Sequence, residues 1–468
     1  MLHAQPTSRR LFAAISITIA LLGLASPVRA SEPVGWRTDA TGKYPGAQPP
    51  REWGPEKNVV WRTAMPAFSN AIPVIVGGKI FTCSEPCILI CVSKADGKIL
   101  WQRESSYIDL AITADEKEKF AAESREAEAF DQQRKLIEQE LGSLGKDVRD
   151  KKTTEEAVAQ KMKEMRRQIE DLRKKTEALP VYSRYSKPYM HPTGGVSMCT
   201  PVCDGRNVYV GFGNGLVACY DLDGNRKWLR LIEHSTASYG HASSPLLVGG
   251  KLIVHYADLV ALDVKDGSEI WRDKIPPKHG TPIHTRIGDV DILIHPGGKL
   301  VRIDDGKILA DNLGQNGENS PILQDGIAYW MAGSCRAVRL PKSPDDKPEP
   351  LWKSNIKGGG YWFCSPVLHD GLLYVANANR SFSVVNAADG KLVYEMKLDV
   401  KGEIYPSACM AGNLIYLGSD DGTTIILKPG REYRELGRNK LDTFRSSPVF
   451  EGKRMYVRTA KHLYCIGE

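Results

Sequence analysis

The sequence is short of the signatures that announce chemistry. It has no GxSxG, no Walker loop and no HExxH, which removes the nucleophile elbow, the phosphate cradle and the helical zinc dyad as starting points. It has no CxxCH, so it carries no haem c of its own. His279, His284 and His295, in HGTPIHTRIGDVDILIHPGG, are not at helical zinc-ligand spacing. A net charge of +7 over 468 residues is small and makes no case for nucleic acid or an anionic membrane as partner. The apolar run from Leu11 to Leu24 is too short for a membrane span. Disorder is excluded by a composition 42% hydrophobic and 25% charged, which supplies ample core.

What is present begins with an export signal over residues 1–30. Arg9 and Arg10 precede the apolar run, and VRA at 28–30 offers small-residue cleavage after Ala30. SRRLF at 8–12 fits either a twin-arginine or a general signal. No cysteine sits near the cleavage site, so a lipid anchor is not expected. The mature chain, 31–468, is expected to be soluble and periplasmic or cell-envelope in location.

Proline marks an internal repeat. Pro73, Pro201, Pro245, Pro282, Pro321, Pro366, Pro406 and Pro448 each open a similar unit, such as SSPLLVGGKLIVHYADLVALDVKDGSEIW at 243–271. The last seven are spaced by 44, 37, 39, 45, 40 and 42 residues, a period near forty. Each unit reads as a short strand, a Gly turn, a β-rich strand, a hairpin, a third strand, an Asp-Gly turn and a fourth strand carrying Trp. Trp101, Trp228, Trp271 and Trp352 hold that last position, and Leu309, Tyr394 and Tyr433 are read as filling it less faithfully. The eighth unit ends after its third strand, and EKNVVWRT around Trp61 can supply the fourth from the N-terminal end. The expectation is an all-β, eight-bladed β-propeller of four-stranded antiparallel blades, its ring closed by an N-terminal strand so that no sheet edge stays open.

The SSPV, YV, LYALD-like, DG and W pattern resembles the pyrroloquinoline quinone (PQQ)-like repeat family from about residue 52 to 468, apart from one insertion. The resemblance implies an eight-bladed propeller. It also brings PQQ and calcium into view as cofactors, because the family's dehydrogenases hold the quinone beside an adjacent-cysteine disulfide, over a Trp, with a Glu/Asn/Asp set on calcium. This sequence has no Cys-Cys dipeptide and no complete ligand set on those positions. The same family contains non-catalytic propellers that scaffold outer-membrane assembly.

CSEPCILIC at 83–91 spaces three cysteines four apart, but on one strand that spacing is about 13 Å, too far to share a metal. Cys91 aligns with Cys219, Cys465 and Ala261 as a small residue on a third strand packed between blades. Cys83 and Cys87 flank a three-residue turn and can form a disulfide in an oxidising compartment.

Between Pro73 and Pro201 lie 128 residues where about 41 would do. Within 112–180 the composition turns charged and helical, and Val158, Met162, Met165, Ile169, Leu172 and Leu179 form a heptad seam. Phe120, Ala127, Phe130, Ile137, Leu141 and Leu144 can face it, giving an antiparallel coiled-coil hairpin that is either a self-contained spacer or a partner-binding arm.

The start of each inner strand is where propeller ligands gather. Three residues before the prolines stand Asn70, Met198, Ala242, His279, Glu318, Phe363, Glu403 and Arg445, with His241, Lys278 and Trp362 one residue earlier. Asn70, His241, His279, Glu318, Trp362, Glu403 and Arg445 are therefore the candidate ligand residues at the channel mouth; the alternative is a water-filled channel. The reading of function is an exported, non-catalytic binding or scaffold protein whose protein partners meet its blade faces or helical arm. The alternative is a PQQ-dependent quinoprotein dehydrogenase with an atypical site.

Overall fold

The computed structural model describes Met1 and residues 33–110, 113–186, 194–233 and 239–467; the expected export signal, apart from Met1, lies outside the described residues. Among the described residues the strands form eight sheets, numbered here in chain order. They span 74–104, 202–231, 246–273, 283–310, 322–355, 367–397, 409–440 and 449–466. Seven contribute four antiparallel strands from one stretch of chain. Sheet 8 contributes three, and Val59–Ala64 pairs with His462–Ile466 to complete it. No helix among the described residues is long and apolar enough to cross a membrane.

The inner strands are buried continuously, as in Leu372–Ala376, Leu414–Gly418 and Thr423–Leu427, so both faces of each sheet are covered and consecutive sheets pack face to face. Trp228, Leu247 and Leu252 lie in one buried cluster between sheets 2 and 3, and Val248, Leu293 and Val301 in the next, between sheets 3 and 4. The series continues until Trp61, Ile80, Ile90 and Tyr456 join sheet 8 to sheet 1.

The tryptophans stitch these joints. Trp228 Nε1 donates to Val264 O at 2.9 Å in the next sheet, and Trp61, Trp101, Trp271 and Trp352 repeat the bond at 2.8–3.2 Å. Each indole covers the glycine of its neighbour's Asp-Gly turn or its equivalent. At Gly267 (φ +73°) an added Cβ would stand 2.7 Å from the Trp228 ring, so only glycine suits both the backbone and the contact. Strand register corrects the assignment of two of these positions. Ala310 in sheet 4 and Gly437 in sheet 7 stand where tryptophan stands elsewhere, not Leu309 and Tyr433. Ala310 follows its turn glycine Gly306 by four residues, as Trp271 follows Gly267, and in sheet 7 a longer turn carries the position on to Gly437.

Gly437 leaves a gap, and the N-terminal segment fills it. Trp53 stacks on Tyr416 of sheet 7 at 6.2 Å, as Trp228 packs on Tyr209 and Trp352 on Tyr329 at 6.1 Å. The same segment crosses between inner strands. Val34 bridges Cys203 in sheet 2, the fully buried Arg37 donates to Pro366 O and Ala408 O, Lys43–Tyr44 adds a parallel fifth strand to sheet 7, and Gln48 N reaches Gly452 O in sheet 8. The N-terminal segment thus makes contacts with sheets 2, 6, 7 and 8.

Between sheets 1 and 2 lie helices α1 (Ala114–Arg149), α2 (Glu155–Glu177) and α3 (Pro180–Tyr185). Thr113 and Thr154 cap the first two through their hydroxyls. Lys161 pairs with Glu140 and Lys175 lies over Phe130, so α1 and α2 run antiparallel. Met165, Leu172 and Ala127 are buried between them. At the base, Phe120, Val181 and Tyr185 join the apolar cluster of sheets 1 and 2.

Candidate functional site

A hydroxyl belt brings the inner strands to one level. Ile72 N donates to Thr200 Oγ1 (3.1 Å), Thr200 N to Ser244 Oγ (3.0 Å), Ser244 N to Thr281 Oγ1 (3.0 Å) and Thr281 N to Ser320 Oγ (2.8 Å). The series continues from Ser320 N to Ser365 Oγ (3.0 Å), Ser365 N to Ser407 Oγ (3.1 Å) and Ser407 N to Ser447 Oγ (2.9 Å). Seven bonds link eight sheets, each satisfying a buried N–H that has no strand partner at that point. Ile72 has no hydroxyl to offer in return.

Two residues before the belt stand Asn70, Met198, Ala242, His279, Glu318, Phe363, Tyr405 and Arg445, and all eight line one cavity of about 420 Å³. In sheet 7 the proline register fails. Pro406 precedes Ser407, whereas elsewhere the proline follows the belt residue, and Ala408 takes its usual place. Tyr405 is thus the ring member, and Glu403 reaches the cavity from two residues further out, at the level of Tyr361. Aligning the belt serines instead of the prolines would have found Tyr405.

Two further candidates turn away. His241 is 2% exposed, edge-on to Tyr256 at 5.2 Å, and burial lowers its pKa to about 4. Trp362 packs with Met331, Cys335 and Leu368 between sheets 5 and 6. Trp36, on the N-terminal segment, lines the cavity with Ile72 and had no signal in the repeat.

The wall on sheets 6 to 8 is a continuous π stack. Phe363 lies on Tyr405 at 4.2 Å with 9° between planes, Tyr361 on Phe363 at 5.6 Å and 19°, and Arg445 Cζ stands 4.0 Å over the Tyr405 ring. Asp420 Oδ2 holds Arg445 at 3.2 Å. Burial, against the opposing pull of Arg445, pushes the Tyr405 hydroxyl up to about 12. Burial lowers the His279 pKa although nearby Glu318 opposes it, so the ring is neutral at pH 7.

Comparison with known proteins agrees with this architecture. A family model described as "Outer membrane protein assembly factor BamB" matches residues 183–309 and 345–431. The matched repeats and the eight four-stranded sheets are consistent with the PQQ-like repeat β-propeller family. A curated relative, the outer membrane protein assembly factor BamB of Yersinia pestis, is 25% identical over 225 residues, which cover 44% of this chain and 56% of that protein. The chain thus spans little more than half the length of that relative. Solved structures similar to this chain include the quinohemoprotein alcohol dehydrogenase ADHIIG of Pseudomonas putida HK5 (TM-score 0.54, 12% identity, 92% of this chain and 81% of that one). Another is the quinohemoprotein alcohol dehydrogenase of Comamonas testosteroni (TM-score 0.51, 10% identity, 86% and 75%). At these identities they show the fold alone.

The residues of this chain do not fit a calcium-supported quinone. Among the described residues no group of three or more His, Cys, Asp or Glu side chains converges on a point. Glu318 and Glu403 reach the cavity from sheets 5 and 7, with the Phe363 position between them. Nor does Cys83 bond to Cys87, which corrects the expected disulfide: all ten cysteines are buried and none is in a disulfide. Cys83 Sγ faces Cys199 O at 3.8 Å, and Cys87 Sγ accepts from Asn214 Nδ2 at 3.2 Å. Burial is the largest cause raising the pKa values of Cys83, Cys91, Cys199 and Cys219, so these thiols stay protonated and pack as small hydrophobes.

Proposed function

We propose that this chain is an exported, eight-bladed propeller, its ring closed by Val59–Ala64, that works as a non-catalytic binding and assembly protein of the periplasm or cell envelope. Its partners are proteins, met through the blade faces or the helical arm. The observation that carries the reading is the match to the BamB description across sheets 2 to 4 and 6 to 7, the repeats that also build the cavity. A cavity lined by an aromatic stack and two carboxylates, with no group of three metal-ligating side chains converging among the described residues, supports binding over redox chemistry. α1 and α2 bury their seam and leave a charged exterior, which suits a reversible, polar contact.

The test is cross-linking in the native envelope, comparing the full chain with one whose arm is shortened, followed by identification of the linked proteins. Outer-membrane assembly components linked to the full chain support the reading. Reduction of an artificial electron acceptor by alcohols or sugars, after loading with quinone and calcium, would overturn it in favour of a dehydrogenase.

A further inference from the structure

The mouth cavity has a chemical bias that its role as a protein-binding scaffold does not require. Glu318 and Glu403 both line it, and among the described residues neither is in an ion pair, whereas Arg445 is held by Asp420. With His279 neutral, Glu318 and Glu403 line the cavity beside one guanidinium, Arg445, which Asp420 already pairs, and Lys278 stands near His279.

The π stack points the same way. Arg445 already seats a cation on one end of the series, 4.0 Å over Tyr405. At the other end Tyr361 is 62% exposed, with one face on Phe363. A tyrosine face attracts a positive charge through its quadrupole, and a carboxylate within reach adds to that attraction. Trp36 and Ile72 offer apolar surface for an alkyl portion, and a volume of about 420 Å³ is in the range of small-molecule pockets.

We propose that this cavity binds an organic ammonium cation, its charge between the open Tyr361 face and the carboxylates of Glu318 and Glu403. The chemistry is that of an alkylammonium, carried either by a free amine or by a lysine side chain. The proposal deepens the binding reading above. It is tested on purified protein without any partner, so its failure is distinguishable from failure of the scaffold role.

Isothermal titration with choline, cadaverine and Nα-acetyl-lysine amide, followed in parallel by tryptophan fluorescence, is the experiment. At least one should bind. The neutral choline isostere 3,3-dimethylbutanol should bind at least ~10-fold more weakly, since it keeps the shape and loses the charge. Glu318→Gln and Glu403→Gln should each weaken binding about 3- to 30-fold, and Tyr361→Ala by a similar factor, with unchanged circular dichroism. Tight binding of the free amines marks a small-molecule site; tight binding of the lysine derivative alone marks a partner side chain, and both support the cation chemistry. The proposal is overturned if none of the three binds up to ~10 mM, if dimethylbutanol binds as well as choline, or if the glutamine variants match wild type.

Discussion

His295 Nε2 donates to His255 Nδ1 at 3.3 Å between sheets 3 and 4, in a place where neither ring meets water. The tautomers follow from the ends of the chain of bonds. Gly297 N–H can only donate, so His295 Nδ1 accepts it at 3.0 Å and the proton sits on Nε2. His255 then carries its proton on Nε2 and donates to Ile275 O at 3.0 Å. Every ring nitrogen is satisfied with both residues neutral, and a further proton on either would face an N–H.

Burial is the main cause holding His295 down to about 3 from an ordinary 6.5, with His255, Lys278 and Lys299 adding repulsion. It also lowers His255, against a pull from Asp258. Folded-state values below the unfolded one mean that the unfolded chain binds more protons in between. The stability contributed is complete above about 6.5 and is lost as pH falls toward about 3. Urea midpoints should drop between pH 7.5 and pH 5, and His295→Gln should show a shallower drop. An unchanged slope in the variant would assign the effect to other groups.

The hydroxyl belt predicts position-specific costs. Ser365→Ala leaves the buried Ser320 N–H without its acceptor and should cost about 1–3 kcal/mol in chemical denaturation. Ile72 is the informative contrast. Thr is isosteric with Val and is ordinarily worse in an apolar site, yet here its hydroxyl can meet Ser447 N–H. Ile72→Thr should therefore fall within ~0.5 kcal/mol of Ile72→Val; a gap of ~2 kcal/mol would show that the belt does not extend to that position.

Trp53 supplies to sheet 7 the indole that Gly437 lacks. Trp53→Ala should cost about 3–5 kcal/mol, the range for emptying a buried aromatic site, although the residue lies outside the sheet it stabilises. Deleting residues 52–63 removes this indole and the strand that completes sheet 8. The expected result by light scattering is association through the unpaired edge of His462–Ile466.

The arm should be separable only above its base. Replacing 128–171 by a short Gly/Ser bridge keeps Phe120, Glu123, Val181 and Tyr185, and should leave the melting temperature of the sheets within a few degrees. Excising all of 112–180 removes Phe120 from the cluster under sheets 1 and 2 and breaks the Glu123 bonds to Val181 and Tyr182, so it should melt lower. Equal melting of the two variants would show that the base contributes nothing.

The sequence by itself determined whatever repeats locally: a period near forty, four strands to a unit, the tryptophans at 61, 101, 228, 271 and 352, and the helical stripe from Val158 to Leu172, though not its extension to Leu179, which lies past the end of α2. These follow from side-chain periodicity and turn chemistry, which act over a few residues. Most of the cavity ring was legible for the same reason, and it failed at Pro406, where a proline two positions early imitates the repeat. Only the tertiary structure decided the rest. Arg37 and Trp53 serve sheets more than 300 residues away, and His255 meets His295 across 40 residues. The stack of Phe363, Tyr405 and Arg445 joins three successive units. Such contacts leave no periodic trace in the chain, because what fixes them is the space left between packed sheets and the need to pair buried polar groups within it.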